Sequence, residues 1–405
     1  MKIVTIVGAR PQFIKASSVS RAIQAFNRKH TQRRIQEILV HTGQHYDYLM
    51  DKVFFEELQL PEPNYHLGIG SGSHGKQTGI MLERIEAVLQ KENPDWVMVY
   101  GDTNSTLAGA LSAAKLNIPV AHVEAGLRSY NRIMPEEINR ILTDHLSMLL
   151  FCPTRQAVRN LAREGIKDGM KRKVKRVGDV MYDSVLYYSK QAEEKSTIFK
   201  ELNLLSPDSI YTPNSKLRHV PRRVHGSPEP HMVQGELQTL NYYLATLHRA
   251  ENTDNPRRLR SIIRALNEIG RDIPVILPLH PRTKKMMEIY QLFSFSRRIK
   301  LIEPVSYLGM LALEKNAKAI LTDSGGVQKE AYWFRVPCFT LRDETEWVET
   351  VKSGWNVLVG TEKEKILSKV RKLNLRKDRN RVTEDEGKGR ASEGIVKILA
   401  AYRLR

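Results

Sequence analysis

Cysteine is nearly absent from the sequence: its 405 residues include only Cys152 and Cys338, each within an apolar run. Two isolated cysteines exclude a disulfide framework, and they exclude a zinc site built from several thiolates. Such sparse cysteine usage is typical of proteins from a reducing compartment. We therefore expect a cytoplasmic protein.

Long apolar runs are missing as well. No stretch of about 18 consecutive apolar residues occurs, so the sequence predicts no transmembrane helix. The apolar segment Lys2–Val7 is too short for a signal peptide, and no small-residue cleavage site follows it. We expect no association with a membrane.

Acidic residues are outnumbered, since 64 Lys and Arg residues against 45 Asp and Glu residues give a formal net charge of +19. A charge of this sign makes nucleic acid the first partner to consider. However, the basic residues lie in scattered runs, and no zinc finger, RNA-recognition motif or leucine zipper accompanies them. We expect no nucleic-acid partner, because an anionic small substrate explains the charge equally well.

The sequence does contain a repeated alternation of short apolar strands and helical patterns, in a chain too long for one hydrophobic core. This alternation predicts parallel sheets with right-handed crossovers. We expect an α/β protein with two doubly wound, Rossmann-like domains that face a cleft. The predicted strands are Lys2–Val7, Ile35–His41, Trp96–Tyr100, Val120–Glu124, Leu149–Cys152, Val174–Val177, Tyr242–Leu247, Val275–Leu279, Lys300–Ile302, Ala319–Thr322, Cys338–Leu341 and Val357–Val359.

The domain limits follow from breaks in this alternation. We assign residues 1–180 to the first domain, 181–240 to a connector and 241–390 to the second domain. The connector begins with one predicted helix, Met181–Asn203, and continues into residues 206–236, whose five prolines indicate a surface insertion. Residues 391–405 predict a final helix that crosses back to the first domain.

The first strand leads into a turn that contains Gly8, Arg10, Pro11 and Lys15. Glycine permits a tight turn, and proline suits the first turn of a helix. A helix N-terminus with two cations predicts an anion site, and an ordinary strand-to-helix turn with solvated cations is the alternative. The G-x-G-x-x-G pattern at 70–75 follows a poor strand, which favours a loop over the cleft rather than a nicotinamide site.

Three carboxylates lie at the ends of successive predicted strands or at the start of the following helix: Asp102, Glu124 and Glu136. In a doubly wound sheet these positions face the ligand crevice. Helix capping is the commoner role of a single Asp at such a place. Because the pattern recurs, we predict a catalytic role for Asp102 and Glu124 and leave both roles open for Glu136.

Polar residues follow the strands of the second half too. His248 and His280 come directly after two successive strands, where a histidine serves as acid, base or phosphate donor, or has a structural role. Ser324, Gly325 and Gly326 lie where a strand turns into a helix, which predicts a diphosphate cradle, and Glu330 lies one turn further on, in reach of ribose hydroxyls. We expect no metal site.

Taken together, these residues resemble the non-hydrolysing UDP-N-acetylglucosamine 2-epimerase family, over nearly the whole chain. The resemblance implies a two-domain fold of the glycosyltransferase-B type. It is carried by the ordered motifs Gly8–Lys15, His41–Asp47, Gly101–Ser105, His122–Arg128, Pro135–Arg140, His248–Asn252, Asp323–Glu330 and Arg342–Glu346.

The resemblance also implies roles for individual residues. Asp102, Glu124, Glu136 and His248 would be catalytic, and UDP-sugar would contact Arg10, Lys15, His280, Ser324, Gly325, Gly326 and Glu330. In some relatives the segment that matches Gln44 and His45 contributes to an allosteric nucleotide-sugar site. Two features depart from the family pattern: Gln12, where many members have Glu, and the insertion 206–236.

The activity implied is interconversion of UDP-N-acetylglucosamine and UDP-N-acetylmannosamine through a 2-acetamidoglucal, without cofactor or metal. A homodimer and a role in cell-envelope polysaccharide synthesis are expected with it. The same reaction on UDP-2,3-diacetamido-2,3-dideoxyglucuronate is one alternative, because the segment from Arg342 to Glu349 is close to that branch. A UDP-sugar glycosyltransferase, which would share the fold and the UDP cradle, is the alternative of another class. A hydrolysing epimerase, which would release free N-acetylmannosamine and UDP, is a further one.

Overall fold

A computed structural model describes residues 1–44, 55–170, 172–202, 204, 241–372 and 389–402. The predicted insertion 206–236 and His45 lie outside the described residues. Within the described part of the chain, no helix is both long and apolar enough to cross a membrane.

The first domain is built on a parallel sheet. Its strands are β1 (Lys2–Val7), β2 (Gln36–His41), β3 (Tyr65–His66), β4 (Trp96–Tyr100), β5 (Val120–Val123), β6 (Leu149–Cys152) and β7 (Lys173–Arg176). Its helices are α1 (Arg10–Lys29), α2 (His74–Glu92), α3 (Asn104–Lys115), α4 (Pro135–Leu146), α5 (Arg155–Arg163), α6 (Val180–Lys195) and α7 (Ile198–Glu201). The spatial order of the strands is β3-β2-β1-β4-β5-β6-β7.

The second domain repeats this plan. Its strands are β8 (Tyr243–Thr246), β9 (Val275–Pro278), β10 (Ile299–Ile302), β11 (Ala319–Thr322), β12 (Cys338–Thr340) and β13 (Asn356–Leu358), in the order β10-β9-β8-β11-β12-β13. The helices are α8 (Ala250–Thr253), α9 (Pro256–Ile269), α10 (Pro281–Ile289), α11 (Tyr307–Asn316), α12 (Gly325–Trp333), α13 (Val348–Lys352), α14 (Lys363–Arg371) and α15 (Ala391–Ala401), with a short 3₁₀ turn at Phe293–Phe295. Both sheets therefore have doubly wound topology, as the sequence predicts.

Each predicted strand is present, and its ends lie within one residue of the predicted ends. Strand β3 is not predicted by the sequence pattern, because it is an edge strand of two residues whose side chains are only partly covered. The single helix predicted over 181–203 was wrong: α6 ends at Lys195 and α7 begins at Ile198. Ser196 interrupts the helix because its hydroxyl accepts a hydrogen bond from the Ile198 amide, in competition with the helical pattern.

Helix α6 lies between the two domains and packs on α1 of the first and α11 of the second. Its apolar side chains Val185 and Tyr188 belong to one buried cluster with Tyr307 and Leu311 of α11. The cluster also includes Ile395 and Leu399 of α15. The apolar core is thus continuous from the first sheet to the second.

The last described helix, α15, packs on α1 and α6 rather than on its own sheet. Asp183 of α6 accepts hydrogen bonds from the backbone amides of Ala391 and Ser392, which satisfies two donors at the start of α15. At the other end, Tyr402 lies edge-on against Trp96 at 5.2 Å between ring centroids.

Gln12 joins β1 to β4 at the point where the strand order reverses. Its Oε1 accepts hydrogen bonds from the amides of Gly8 and Ala9, and its Nε2 donates to the Tyr100 carbonyl (2.8 Å) and the Thr106 hydroxyl (2.9 Å). A carboxylate has no proton to donate to the Tyr100 carbonyl. Glutamine therefore suits this place, and the bonded Gly8 and Ala9 amides are not available to an anion.

We predict that Gln12→Glu lowers the free energy of unfolding by about 1–3 kcal/mol, the cost of a buried acceptor left without its donor. Urea unfolding at pH 8 measures the loss. The matched control is Gln24→Glu, on the exposed face of the same helix, which should leave the unfolding midpoint unchanged. Equal midpoints for Gln12→Glu and wild type would contradict the assignment.

Candidate active site

The polar residues of both domains lie at the carboxyl ends of the parallel strands, next to the reversal points β1/β4 and β8/β11. This edge is where doubly wound sheets bind ligands. Arg10 begins α1, Asp102 and Glu124 follow β4 and β5, and His248 and Ser324 follow β8 and β11. The two edges face each other: Arg10 acts electrostatically on His248 across the domains.

Lys15 and Glu124 form a buried ion pair on the first-domain wall. Burial raises the pKa of Glu124, and this effect exceeds the lowering by Lys15. Gly101 lies beside the pair, and a Cβ there would be 3.1 Å from Glu124 Oε2 and 3.3 Å from Lys15 Nζ. Glu124 itself has φ +74°, a conformation that a non-glycine residue adopts only when its surroundings enforce it.

Asp102 lies next to this pair but in a different electrostatic setting. Its Oδ2 accepts hydrogen bonds from Arg140 Nε at 2.9 Å and Nη2 at 2.6 Å. Burial alone would raise the pKa of Asp102, but Arg140, Lys15 and Arg249 together bring it below its ordinary value. Two neighbouring carboxyl groups therefore have pKa values shifted in opposite directions, which is typical of acid–base sites.

Glu136, at the start of α4, faces the second domain. Its Oε1 lies 3.7 Å from Arg249 Nη1, and Arg249 Nη2 lies 3.9 Å from Glu346 Oε1. Glu346 is held in turn by Arg342 Nη1 at 3.0 Å. Burial is the largest influence on the pKa of Glu346, but the surrounding arginines lower it below its ordinary value. Alternating charges thus connect the two domains across the cleft.

His248 is positioned through its backbone. Its amide and that of Arg249 donate hydrogen bonds to the buried carboxylate of Asp323, at 3.0–3.2 Å. Burial lowers the pKa of the imidazole, and Arg249 and Arg10 lower it further, against the opposing charge of Asp323. His280 lies beside it, with 5.5 Å between ring centroids, and caps α10 by accepting from the Arg282 amide.

The N-terminus of α12 faces the same space. Ser324 caps the helix, accepting from the Val327 amide at 3.4 Å. A Cβ on Gly325 would lie 2.5 Å from Glu346 Oε1, so glycine permits this carboxylate to approach the helix end. At Gly326 the nearest atoms are 3.8 Å away, which leaves ordinary clearance.

Glu330 is more enclosed than the other predicted ligand residues. The Tyr307 hydroxyl donates to its Oε1 at 3.1 Å, and burial raises the pKa of Glu330 to about 7. Glu314, fully buried alongside, also has a pKa raised well above its ordinary value by burial and by Glu330. Glu330, the predicted ribose contact, therefore lies next to a second buried carboxyl group, that of Glu314.

Gln44 lies at the rim of the first domain, where its Oε1 accepts from the Ser105 hydroxyl at 2.7 Å. Gln77 Nε2 lies 3.4 Å from the Gln44 carbonyl. Asn104 and Ser105 begin α3, two and three residues after Asp102. Gln44 therefore contacts the start of the helix that follows Asp102.

Four charged residues of the cleft were missed as site residues by the sequence analysis: Arg140, Asp179, Arg249 and Glu346. Asp179 caps α6, accepting from the Met181 amide at 2.8 Å, and acts electrostatically on both Lys15 and Glu124. It follows strand β7 just as Asp102 follows β4, so the same strand-end signal would have identified it. The arginines gave no comparable signal, because the cleft carboxylates that they contact, Asp102 for Arg140 and Glu136 and Glu346 for Arg249, are distant from them in sequence.

The arrangement suits an anionic ligand with a reactive centre near carboxylates. Cations and a helix N-terminus on the second-domain side attract phosphate oxygens, and the acids lie opposite. Within the described ranges, no group of three or more His, Cys, Asp or Glu side chains is arranged to hold a metal ion. Fold and site together define a two-domain α/β enzyme of the glycosyltransferase-B class.

Comparison with known proteins narrows this class. The family model described as UDP-N-acetylglucosamine 2-epimerase matches residues 27–212 and 208–400. A homologue of this epimerase from Methanococcus maripaludis is 53% identical over 98% of this chain and 99% of its own length. The chain therefore belongs to the UDP-N-acetylglucosamine 2-epimerase family, a family of isomerases.

Two further relatives bear on the sugar. The UDP-2,3-diacetamido-2,3-dideoxy-D-glucuronate 2-epimerase of Pseudomonas aeruginosa is 48% identical over 99% of both chains. The crystal structure of the Methanocaldococcus jannaschii UDP-GlcNAc 2-epimerase, in complex with UDP-GlcNAc and UDP, is 47% identical. It superposes with a TM-score of 0.83 and covers 99% of this chain and 100% of that one.

We predict that Lys15→Met destabilises the protein by about 3–5 kcal/mol, because it leaves Glu124 as an unpaired buried charge. The loss should be smaller at pH 5 than at pH 8. Without Lys15 the folded-state pKa of Glu124 lies above its unfolded value, so the folded form binds the proton more tightly and gains stability as pH falls. Urea unfolding at both pH values measures this difference.

Lys29→Met, at the exposed end of the same helix, provides the control and should show no such pH dependence. A destabilisation of Lys15→Met that is equal at pH 5 and pH 8 would contradict the buried pair.

Proposed function

We propose that this protein interconverts UDP-N-acetylglucosamine and UDP-N-acetylmannosamine by inverting C2 of the sugar. The observation that carries the proposal is the set of opposed walls: carboxyl groups with divergent pKa values on one domain, and cations with a helix N-terminus on the other. The complex of the Methanocaldococcus jannaschii relative with UDP-GlcNAc and UDP supports it.

The reaction needs the C2 proton, which is not acidic, to be removed. A base takes this proton while the C1–O bond breaks and its electron pair leaves with UDP. The product is a 2-acetamidoglucal with a C1=C2 double bond. UDP then adds back to C1 as a proton reaches the opposite face of C2, so atoms and charge balance without a redox step.

In this proposal Asp102, Glu124 and Glu136 handle the protons and stabilise positive charge at C1. Asp102 stays ionised beside Arg140, which suits a proton acceptor, whereas the raised pKa of Glu124 suits a group that carries a proton. His248, neutral because of its lowered pKa, assists near the diphosphate as a hydrogen-bond donor.

The departing UDP would be held by Arg10 and Lys15 of the first domain and, on the second-domain wall, by His280, Ser324, Gly325, Gly326 and Glu330. Amides at the start of α12 and the cations around them favour the negative charge that develops on the diphosphate. Lys15 keeps a positive charge next to Glu124 in the buried first-domain wall. We also propose that Gln44, with His45, contacts a second nucleotide sugar at the rim.

A second candidate substrate is UDP-2,3-diacetamido-2,3-dideoxyglucuronate, favoured by the relative at 48% identity. Proton NMR of the enzyme with each UDP-sugar in deuterated water separates the two. We expect the C2-epimer and deuterium at C2 with UDP-N-acetylglucosamine. Turnover of the diacetamido-uronate alone would reassign the substrate, and sugar transfer to an acceptor without C2 exchange would contradict epimerisation.

The wider setting is also proposed. The buried, unpaired Cys152 and Cys338 suit a reducing cytoplasm. The resemblance supports a homodimer and a supply of activated sugar for cell-envelope polysaccharide. We also propose the domain limits that the sequence predicts, with catalytic acids in residues 1–180 and UDP binding in 241–390. Residues 206–236 are proposed to be a surface insertion.

We predict that Asp102→Asn, Glu124→Gln and Glu136→Gln keep UDP affinity but lose about 10² to 10⁴ in turnover, the usual effect of removing a positioned acid or base. Deuterium exchange at C2 should fall in parallel, since the same groups move that proton. Isothermal titration with UDP and the NMR assay measure the two quantities.

The matched control is Asp168→Asn, which removes an exposed carboxylate that pairs with Lys175 away from the cleft. Its turnover should equal that of the wild type. Near-normal epimerisation by all three carboxylate variants would overturn the proposed mechanism.

A further inference from the structure

A buried row of polar and charged side chains leads from the predicted catalytic edge of the first domain to its surface. It consists of His122 on β5, Asp144 on α4, Arg128 in the loop after β5, and Glu164 after α5. His122, Asp144 and the Arg128 side chain are fully buried, and Glu164 is partly exposed. We name this row the His122 ladder.

The inner end of the ladder contacts the turn that carries Asp102. His122 Nε2 lies 2.8 Å from the carbonyl oxygen of Gly101. A carbonyl only accepts hydrogen bonds, so Nε2 must carry a proton and donate it. The ring therefore fixes the residue that directly precedes Asp102.

The other ring nitrogen contacts Asp144. His122 Nδ1 lies 2.7 Å from Asp144 Oδ1, while Asp144 Oδ2 accepts from the Gly126 amide at 3.1 Å and from Arg128 Nη1 at 2.7 Å. Burial alone would raise the pKa of Asp144, but His122 and Arg128 bring it below its ordinary value. An ionised carboxylate also only accepts hydrogen bonds, so both ring nitrogens of His122 face acceptors.

Asp144 thereby holds the turn that carries Glu124. Gly126, whose amide it binds, has φ +81°, and Glu124 two residues earlier has φ +74°. Such backbone conformations persist only when surrounding contacts over-determine them. Arg128 closes the far side of the turn with a bidentate pair to Glu164, at 2.7 and 2.6 Å.

We propose that His122 is a positioning residue for the reaction. Its ring, protonated on both nitrogens, joins the turn that carries Asp102 to Asp144, which holds the turn that carries Glu124. The proposal rests on the proposed function, because it concerns the placement of groups that act in that reaction. It assigns His122 no contact with substrate. Its effect is to fix the spacing of two carboxyl groups that must act on adjacent carbons of one sugar. Displacement of a catalytic group by 1 Å typically costs about 10² in rate.

The test is His122→Gln, whose side chain has a single donor nitrogen and so no longer bridges both acceptors. We expect kcat to fall about 10²-fold while KM and UDP affinity keep their wild-type values, since the second-domain contacts are unchanged. Asp144→Asn should have the same effect. The double variant should be no slower than the slower single variant, because the two residues act as one unit.

The control is Thr5→Val, which removes the 2.7 Å hydrogen bond from the Thr5 hydroxyl to the partly buried carboxylate of Glu37. It leaves an acid without one of its donors, as His122→Gln does, but inside β1 rather than at the turns that carry Asp102 and Glu124. It should lower the melting temperature and leave kcat unchanged. A wild-type kcat in folded His122→Gln, or an equal loss in Thr5→Val, would contradict the proposal.

Nitrogen-15 NMR of histidine-labelled wild-type protein gives an independent test that needs no variant to fold. Two slowly exchanging ring N–H groups on His122 are expected, and a single one would overturn the bridge. If the wild-type enzyme epimerises no UDP-sugar, the proposed function fails, whereas the ring spectrum still decides whether the bridge exists.

Discussion

The contact between Lys15 and Glu124 is the constraint on which the rest of the first-domain wall depends. It joins α1 to the turn after β5 across the end of β4, so there is no room for a side chain at Gly101, directly after β4. Glu124 adopts a left-handed backbone conformation to make this contact. A charge pair removed from water costs free energy unless both partners are well bonded. The neighbouring buried acids and arginines therefore also need bonded partners, as Asp102 has in Arg140.

At the strand ends of the second domain, a buried carboxylate binds backbone amides rather than a lysine side chain. Its strand ends carry His248, Arg249 and the start of α12, and the Asp323 carboxylate orders the first of these turns through backbone amides. Where the domains meet, Glu136, Arg249 and Glu346 alternate in charge. If an anionic ligand binds here, as proposed, it must displace contacts between groups that already neutralise one another.

Much of the fold could be predicted because the strand signal is local: apolar runs of four to six residues at β1, β4 and β11 need no knowledge of the partner strand. Strand-end acids such as Asp102 were recognisable for the same reason. Features that depend on distant pairing could not be predicted. The two-residue strand β3, the role of Gln12 and the Arg140 contact with Asp102 exist only because remote segments meet.

The packing of α15 on α1 has a consequence for how the chain is made. Helix α15, which follows the second domain in the chain, completes the apolar surface of the domain that was synthesised first, and it contacts Asp183 and Trp96 there. During translation, part of the helix layer on the first sheet stays uncovered until the second domain has been synthesised. The two domains are consecutive in sequence but interdependent in folding, so a nascent chain arrested before residue 391 exposes an apolar face that chaperones would recognise.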